Sequence, residues 1–192
     1  MKNKGNSNNE RRFFEKLDGI LSEEYHDCCK SFREISLDTN NREYLSNSPR
    51  GAYCYDDIIG KVFAGRELPM SPDGLFLDPL THNIIFIEFK NGCVREKNRI
   101  ELRLKGIEGI YSLLKWVLKD FSLLPEEQID YIVVYNRHKI SDCPTPDRDN
   151  IVNYIGRLAR EREIKFGLRR LKGTYFNDVI TLNQDEFDRR YG

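Results

Sequence analysis

The chain lacks a net charge. Thirty-one Lys and Arg balance thirty-one Asp and Glu over 192 residues. A polyanionic partner therefore cannot be read from the total, and only the placement of charge could build such a surface. Long apolar runs are also missing. None approaches the roughly 18 residues that a transmembrane helix needs, and the N-terminal MKNKGNSNNERR has no apolar signal core. The expectation is a cytoplasmic protein with no membrane partner. Cys28, Cys29, Cys54, Cys93 and Cys143 include no CxxC pair and no Cys/His zinc spacing, so they are expected as reduced thiols. His26, His82 and His138 are scattered, and no internal repeat is visible. What remains, with 39% hydrophobic and 11% aromatic residues, suits one globular domain. Residues 1–9 are expected as a flexible tail and 10–192 as a single domain.

The most informative stretch runs from Ser71-Pro72-Asp73 to Ile87-Glu88-Phe89-Lys90. Asp73–Asp78 (DGLFLD) and Ile84–Lys90 (IIFIEFK) read as the two strands of a hairpin, with turn material at Pro79–Asn83. With the loop centred between Leu80 and Thr81, residues whose numbers sum to 161 face each other. Asp73 then opposes Glu88, and Lys90 points to the same face because the strand period is two. His82 falls in the turn and is expected at solvent. Both faces of the hairpin are otherwise apolar, which places it in a sheet covered on both sides. Two opposed carboxylates at the end of such a sheet repel each other and lose hydration. Lys90 offsets part of that cost, and a divalent cation would offset the rest. Oxygen ligands with water in the remaining positions suit Mg²⁺, with Mn²⁺ as a substitute.

Pro72, Asp73, Glu88 and Lys90 resemble the PD-(D/E)XK motif of the restriction-endonuclease-like nucleases. The resemblance implies an α/β fold with an α-β-β-β-α-β core, a central mixed sheet flanked by helices, and here a C-terminal helical and strand extension. It implies that Asp73 and Glu88 bind the metal with the backbone carbonyl of Phe89, and that Lys90 positions or helps deprotonate the attacking water. The expected activity is metal-dependent hydrolysis of nucleic acid, DNA ahead of RNA. The alternative is an inactive relative that binds nucleic acid or a protein partner. Many relatives cut as dimers, so a homodimer stays open.

The remaining elements are coarser. A helix is expected from about Glu10 to Tyr25, with Phe13, Phe14, Leu17, Ile20 and Leu21 on its apolar face. In the resembled family such a helix often supplies a further acid, which makes Glu24 a candidate and Glu10 a second; an ordinary charged helix end is the alternative. Ser31–Leu37 reads as a short strand, and Tyr53–Ile59 as a strand or a short helix. Asp56 there is a third candidate acid or a helix cap. A long helix is expected over about Arg95–Lys119, with an apolar stripe of Ile100, Leu104, Ile107, Tyr111, Leu114 and Leu118. Gly106 and Gly109 could permit its close packing on the sheet. Arg103 shares the stripe and is a candidate phosphate or carboxylate contact; otherwise its stem snorkels to solvent. Gln128–Tyr135 reads as a buried strand. A further helix is expected from Thr145 to about Glu163, then a basic stretch in which Arg169, Arg170 and Lys172 could grip phosphates. A short strand over Val179–Leu182 and a helix over Asp185–Tyr191 end the chain.

Overall fold

The hairpin forms the middle of a six-stranded mixed sheet in the computed structural model, which describes residues 4–122, 128–140 and 164–192. In chain order the elements are helix α1 (Lys4–Glu24), strand β1 (Cys29–Ser31), the helical turn α2 (Phe32–Ile35), β2 (Leu37–Asp38), β3 (Glu43–Tyr44), β4 (Gly51–Cys54), α3 (Tyr55–Val62), β5 (Gly74–Asp78) and β6 (Asn83–Lys90). Then follow α4 (Glu96–Ser112), β7 (Ile129–Tyr135), the short α5 (Arg137–Ile140), β8 (Asp178–Asn183) and α6 (Gln184–Tyr191). The sheet order is β1-β4-β5-β6-β7-β8. Pairing is antiparallel from β1 to β6 and parallel from β6 to β8. β2 and β3 form a separate two-stranded ribbon. The chain is thus α/β with a mixed central sheet flanked by helices.

The hairpin register is the expected one. Gly74 faces Ile87, Leu75 faces Phe86, and Asp78 faces Asn83. Each pair sums to 161, which carries Asp73, one residue before β5, to the level of Glu88. Both sheet faces are covered. Leu75, Ile84, Phe86, Tyr131 and Val133 pack with Leu17 and Leu21 of α1, Tyr55 and Ile58 of α3, and Leu102 and Ile110 of α4. Phe76, Ile85, Ile87, Ile132 and Val134 pack with Phe32 and with Phe187 and Tyr191 of α6. All of β7 is buried, as its β-branched and aromatic sequence predicts.

Several expectations are corrected. Helix α1 begins at Lys4 rather than about Glu10: once Phe14, Leu17 and Leu21 are docked, adding turns at the free end costs little. Ser31–Leu37 is not a strand. Ser31 caps α2, accepting from the Glu34 N–H (3.2 Å) while the Glu34 carboxylate accepts from the Ser31 N–H (2.8 Å), a capping box that outweighs strand propensity. Tyr53–Ile59 is both readings in turn, the end of β4 and the start of α3. His82 is only half-exposed, its ring edge-on to Phe14. Cys93 is disulfide-bonded rather than a reduced thiol, while Cys28, Cys29 and Cys54 are free. The Thr145–Glu163 helix and Cys143 lie outside the described residues.

The largest correction concerns α4. Half of its expected stripe faces outward, with Ile100 49%, Leu104 37% and Tyr111 50% exposed, while Ile107, Leu114 and Leu118 pack on the core. Leu102, Gly106, Gly109 and Ile110 face the sheet instead. A Cβ on Gly106 would lie 3.2 Å from Tyr131 and Phe176 ring atoms, and one on Gly109 only 2.6 Å from Pro72 Cδ. The glycines let the helix backbone sink onto the sheet. Two hydroxyls hold it there: Tyr55 donates to the Gly109 carbonyl (3.0 Å) and Tyr131 to that of Leu102 (2.9 Å). Beyond Ser112 the helix continues as a π turn, Leu113–Val117, that brings Leu113, Leu114 and Val117 inward.

Candidate active site at the carboxyl end of the central strands

Strand alternation points Glu88 and Lys90 to the face that α4 covers, and the register brings Asp73 beside them. Glu88 is completely buried. Asp73 is fixed by the strand beside it, since its Oδ2 accepts the Phe89 N–H at 2.6 Å. In an extended strand the N–H and C=O of one residue point to the same side. The Phe89 carbonyl is therefore directed to the Asp73 side, where β5 has not yet begun.

Sequence reasoning missed the residue at the centre. Lys105, from the sheet-facing side of α4, places its ammonium 3.1 Å from Asp73 Oδ1 and 2.9 and 2.8 Å from the two Glu88 oxygens. Lys90 stands farther off, 3.4 Å from Glu88 Oε1. With the stripe as expected, Lys105 would point away from the sheet. The signal that could have found it is the Gly106 and Gly109 pair beside it, the device for close approach.

The charges are interdependent. Burial first, and then the neighbouring Asp73 charge, push the Glu88 pKa above the ordinary glutamate range, and Lys105 and Lys90 offset only part of this. For Lys105, burial works against the ammonium, but Glu88 and Asp73 outweigh it and hold the pKa above the ordinary lysine range. Asp56, in the first turn of α3, accepts a hydrogen bond from the buried Ser71. It keeps surface open at the cleft mouth, yet protein crowds its carboxyl. That crowding is the first cause of its raised pKa, ahead of the Asp73 charge.

Asp56, Asp73, Phe89 and Lys90 line a cleft of about 440 Å³. Its other wall comes from Ile35–Asp38 and Asn41, beside the β2–β3 ribbon. The ribbon is tied to the end of β6 by Asn91, whose Nδ2 donates to Asp38 (3.2 Å) and Glu43 (2.9 Å).

The other candidates are not brought to this point. Glu24 is exposed at the end of α1, and no hydrogen bond or ion pair among the described residues joins it to the cluster. The Glu10 side chain lies outside the described residues. Arg103, two positions from Lys105 on the helix, packs on Gly167 instead: a Cβ there would lie 3.3 Å from its Nη2. Arg169 and Arg170 are exposed on a 3-10 turn (Leu168–Leu171). Lys172 pairs with Asp178 at 2.6 Å, at the start of β8. Parallel pairing puts that start level with Asp130, at the end of the sheet opposite Lys90.

The donor set meets a simple test for a divalent cation. Asp73 and Glu88 already converge on one positive charge, the Lys105 ammonium. Two carboxylates and a carbonyl leave half of an octahedral shell to water, which suits Mg²⁺. Among the described residues, no group of three or more His, Cys, Asp or Glu is placed to hold a metal ion. Comparison with known proteins adds no family: no protein-family model, no curated protein and no solved structure matches the chain.

Proposed function

We propose that this chain is a metal-dependent nuclease of the restriction-endonuclease-like kind, hydrolysing phosphodiester bonds of nucleic acid, with DNA the first substrate to test. One observation carries the reading. A fully buried glutamate at the carboxyl end of β6 and an aspartate at the amino end of β5 converge, and Lys90 opens from the same face onto a cleft. A buried carboxylate beside a second one costs stability, which points to a compensating role. Antiparallel β4, β5 and β6 between α1 and α4, with parallel β7 after α4, contain the order that the motif implies, and β1 and α3 are additions to it.

Asp73 and Glu88 would hold Mg²⁺ with the Phe89 carbonyl. The ion supplies a water of lowered pKa and charge for the leaving oxygen. The chain's own groups do the rest. The Phe89 N–H fixes the Asp73 carboxylate, so that its Oδ1 stays turned toward Glu88. Lys90, about a quarter exposed, can hold the attacking water and oppose negative charge growing on a phosphate in the cleft. The Asp38 and Asn41 wall lies where it can meet the polymer.

Plasmid, linear and single-stranded DNA and RNA, incubated with Mg²⁺ or Mn²⁺, test this directly. Asp73→Ala, Glu88→Ala and Lys90→Ala should each lower cleavage at least a hundredfold while the circular dichroism stays native. Cleavage at the wild-type rate by all three variants would sink the reading. The second reading, an inactive module that binds nucleic acid or protein, is favoured by the Lys105 ion pairs, which hold both carboxylates on one ammonium without a metal. It expects no metal-dependent cleavage of any of these substrates.

A further inference from the structure

We propose that Lys105 is a built-in competitor for the cation site: it closes the Asp73–Glu88 pair when no divalent ion is bound and leaves when one enters. This rests on the metal site proposed above and adds a residue that the motif does not contain. The geometry singles out Lys105 rather than Lys90. Its ammonium touches both carboxylates at once, at 3.1 Å from Asp73 and 2.8 and 2.9 Å from Glu88, whereas Lys90 reaches Glu88 alone, at 3.4 Å. A cation shared by the two carboxylates has to lie between their oxygens, where Lys105 Nζ now stands. The two positive charges cannot share that point, because they would repel each other at a few ångströms in a partly dehydrated site.

The displaced ammonium has somewhere to go. Asp56 is a third carboxylate whose charge acts on Lys105, and it sits at the cleft mouth on the Ser71 hydroxyl. The Lys105 stem is flexible, and its Cα is held by neighbouring Gly106 packed on Tyr131 and Phe176. The head group can therefore swing while the helix stays in place. Swung toward Asp56, the ammonium borders the cleft, where a phosphate oxygen would meet it. The closed form is a resting state in which the two carboxylates share one ammonium and metal affinity is held down.

Calorimetric titration of Mn²⁺ and Mg²⁺ into wild type, Lys105→Met and Asp73→Asn tests the competition without any activity readout. Lys105→Met keeps the length of the stem and removes the charge. It should bind Mn²⁺ at least tenfold more tightly than wild type, and Asp73→Asn should abolish binding. Equal or weaker binding by a folded Lys105→Met overturns the competitor role while leaving the metal site standing. No Asp73-dependent binding by wild type or Lys105→Met at millimolar Mn²⁺ overturns the metal site and the competitor together. A second measurement needs no variant. Acylation of Lys105 in wild type, followed by mass spectrometry of its peptide, should be slow in chelator and at least fivefold faster with saturating Mn²⁺. An unchanged rate overturns the displacement, even if Lys105→Met proves unstable.

Discussion

Gly109→Ala would test how closely α4 must approach the site. The added Cβ would lie 2.6 Å from Pro72 Cδ and 3.1 Å from Pro72 Cγ. Carbon atoms in good contact sit about 3.5–4.0 Å apart, so the helix and the Pro72 loop must separate by about 1 Å. Neither side yields easily. Tyr55 binds the Gly109 carbonyl, and Pro72 is rigid and immediately precedes Asp73. Overpacking of this kind costs about 1–3 kcal/mol. Replacing a helical glycine by alanine returns up to about 1 kcal/mol of backbone preference. The expected net is a loss of up to about 2 kcal/mol, or up to roughly 8 °C in Tm for a chain of this size. Gly19→Ala is the internal control. It lies in α1 with nothing within 4 Å of the new Cβ, and it should gain about 0.4–1 kcal/mol. Thermal melting followed by circular dichroism reads both. A Gly109→Ala protein as stable as Gly19→Ala would refute the close approach, and with it the route by which Lys105 reaches the carboxylates.

Three further predictions follow from the same geometry. The Glu88 pKa is raised on folding, so the stability that its proton confers is fully present below about 4.5, the ordinary glutamate value, and is lost as pH rises toward the folded value. The melting temperature of wild type minus that of Glu88→Gln, measured in chelator, should therefore fall from acid to mildly alkaline pH, and a flat difference would contradict the buried, perturbed carboxyl. Burial pushes the Cys54 thiol up to about 11 from 9.0, which leaves about a hundredfold less thiolate near neutral pH. Iodoacetamide should thus label Cys54 at least a hundredfold more slowly in the folded chain than in urea; equal rates would show an accessible, ordinary thiol. Tyr55→Phe removes the hydroxyl that binds the Gly109 carbonyl and should cost about 1 kcal/mol, or roughly 2–4 °C in Tm; no change would mean that this bond does not hold α4.

Local rules were enough for the hairpin. Alternation over DGLFLD and IIFIEFK, with a turn between them, leaves one register that buries both faces. That register places Asp73 beside Glu88 in the structure as well. The buried strand at 129–135 was equally plain, because β-branched and aromatic residues dominate it. Periodicity misled at α4 because its buried face carries two glycines, which have no hydrophobic side chain to count. Ile100, Leu104 and Tyr111 of the expected stripe therefore face outward. The same physics explains Arg103 and Lys105. Both are basic and two positions apart, so a rotation of the helix exchanges which of them meets the carboxylates.

By itself, then, the sequence determined the carboxylate pair, its register and the apolar sheet around it, since these depend on a strand period of two and a short turn. The tertiary structure alone decided which cation answers that pair. Lys105 lies seventeen residues beyond Glu88 on another element. It arrives there because Gly109 meets Pro72, Gly106 meets Tyr131 and Phe176, and two tyrosine hydroxyls bind the helix backbone. Those contacts join distant parts of the chain, and no local pattern encodes them. Asp56 is placed at the cleft for the same reason, held by a serine fifteen residues away that only the fold brings near.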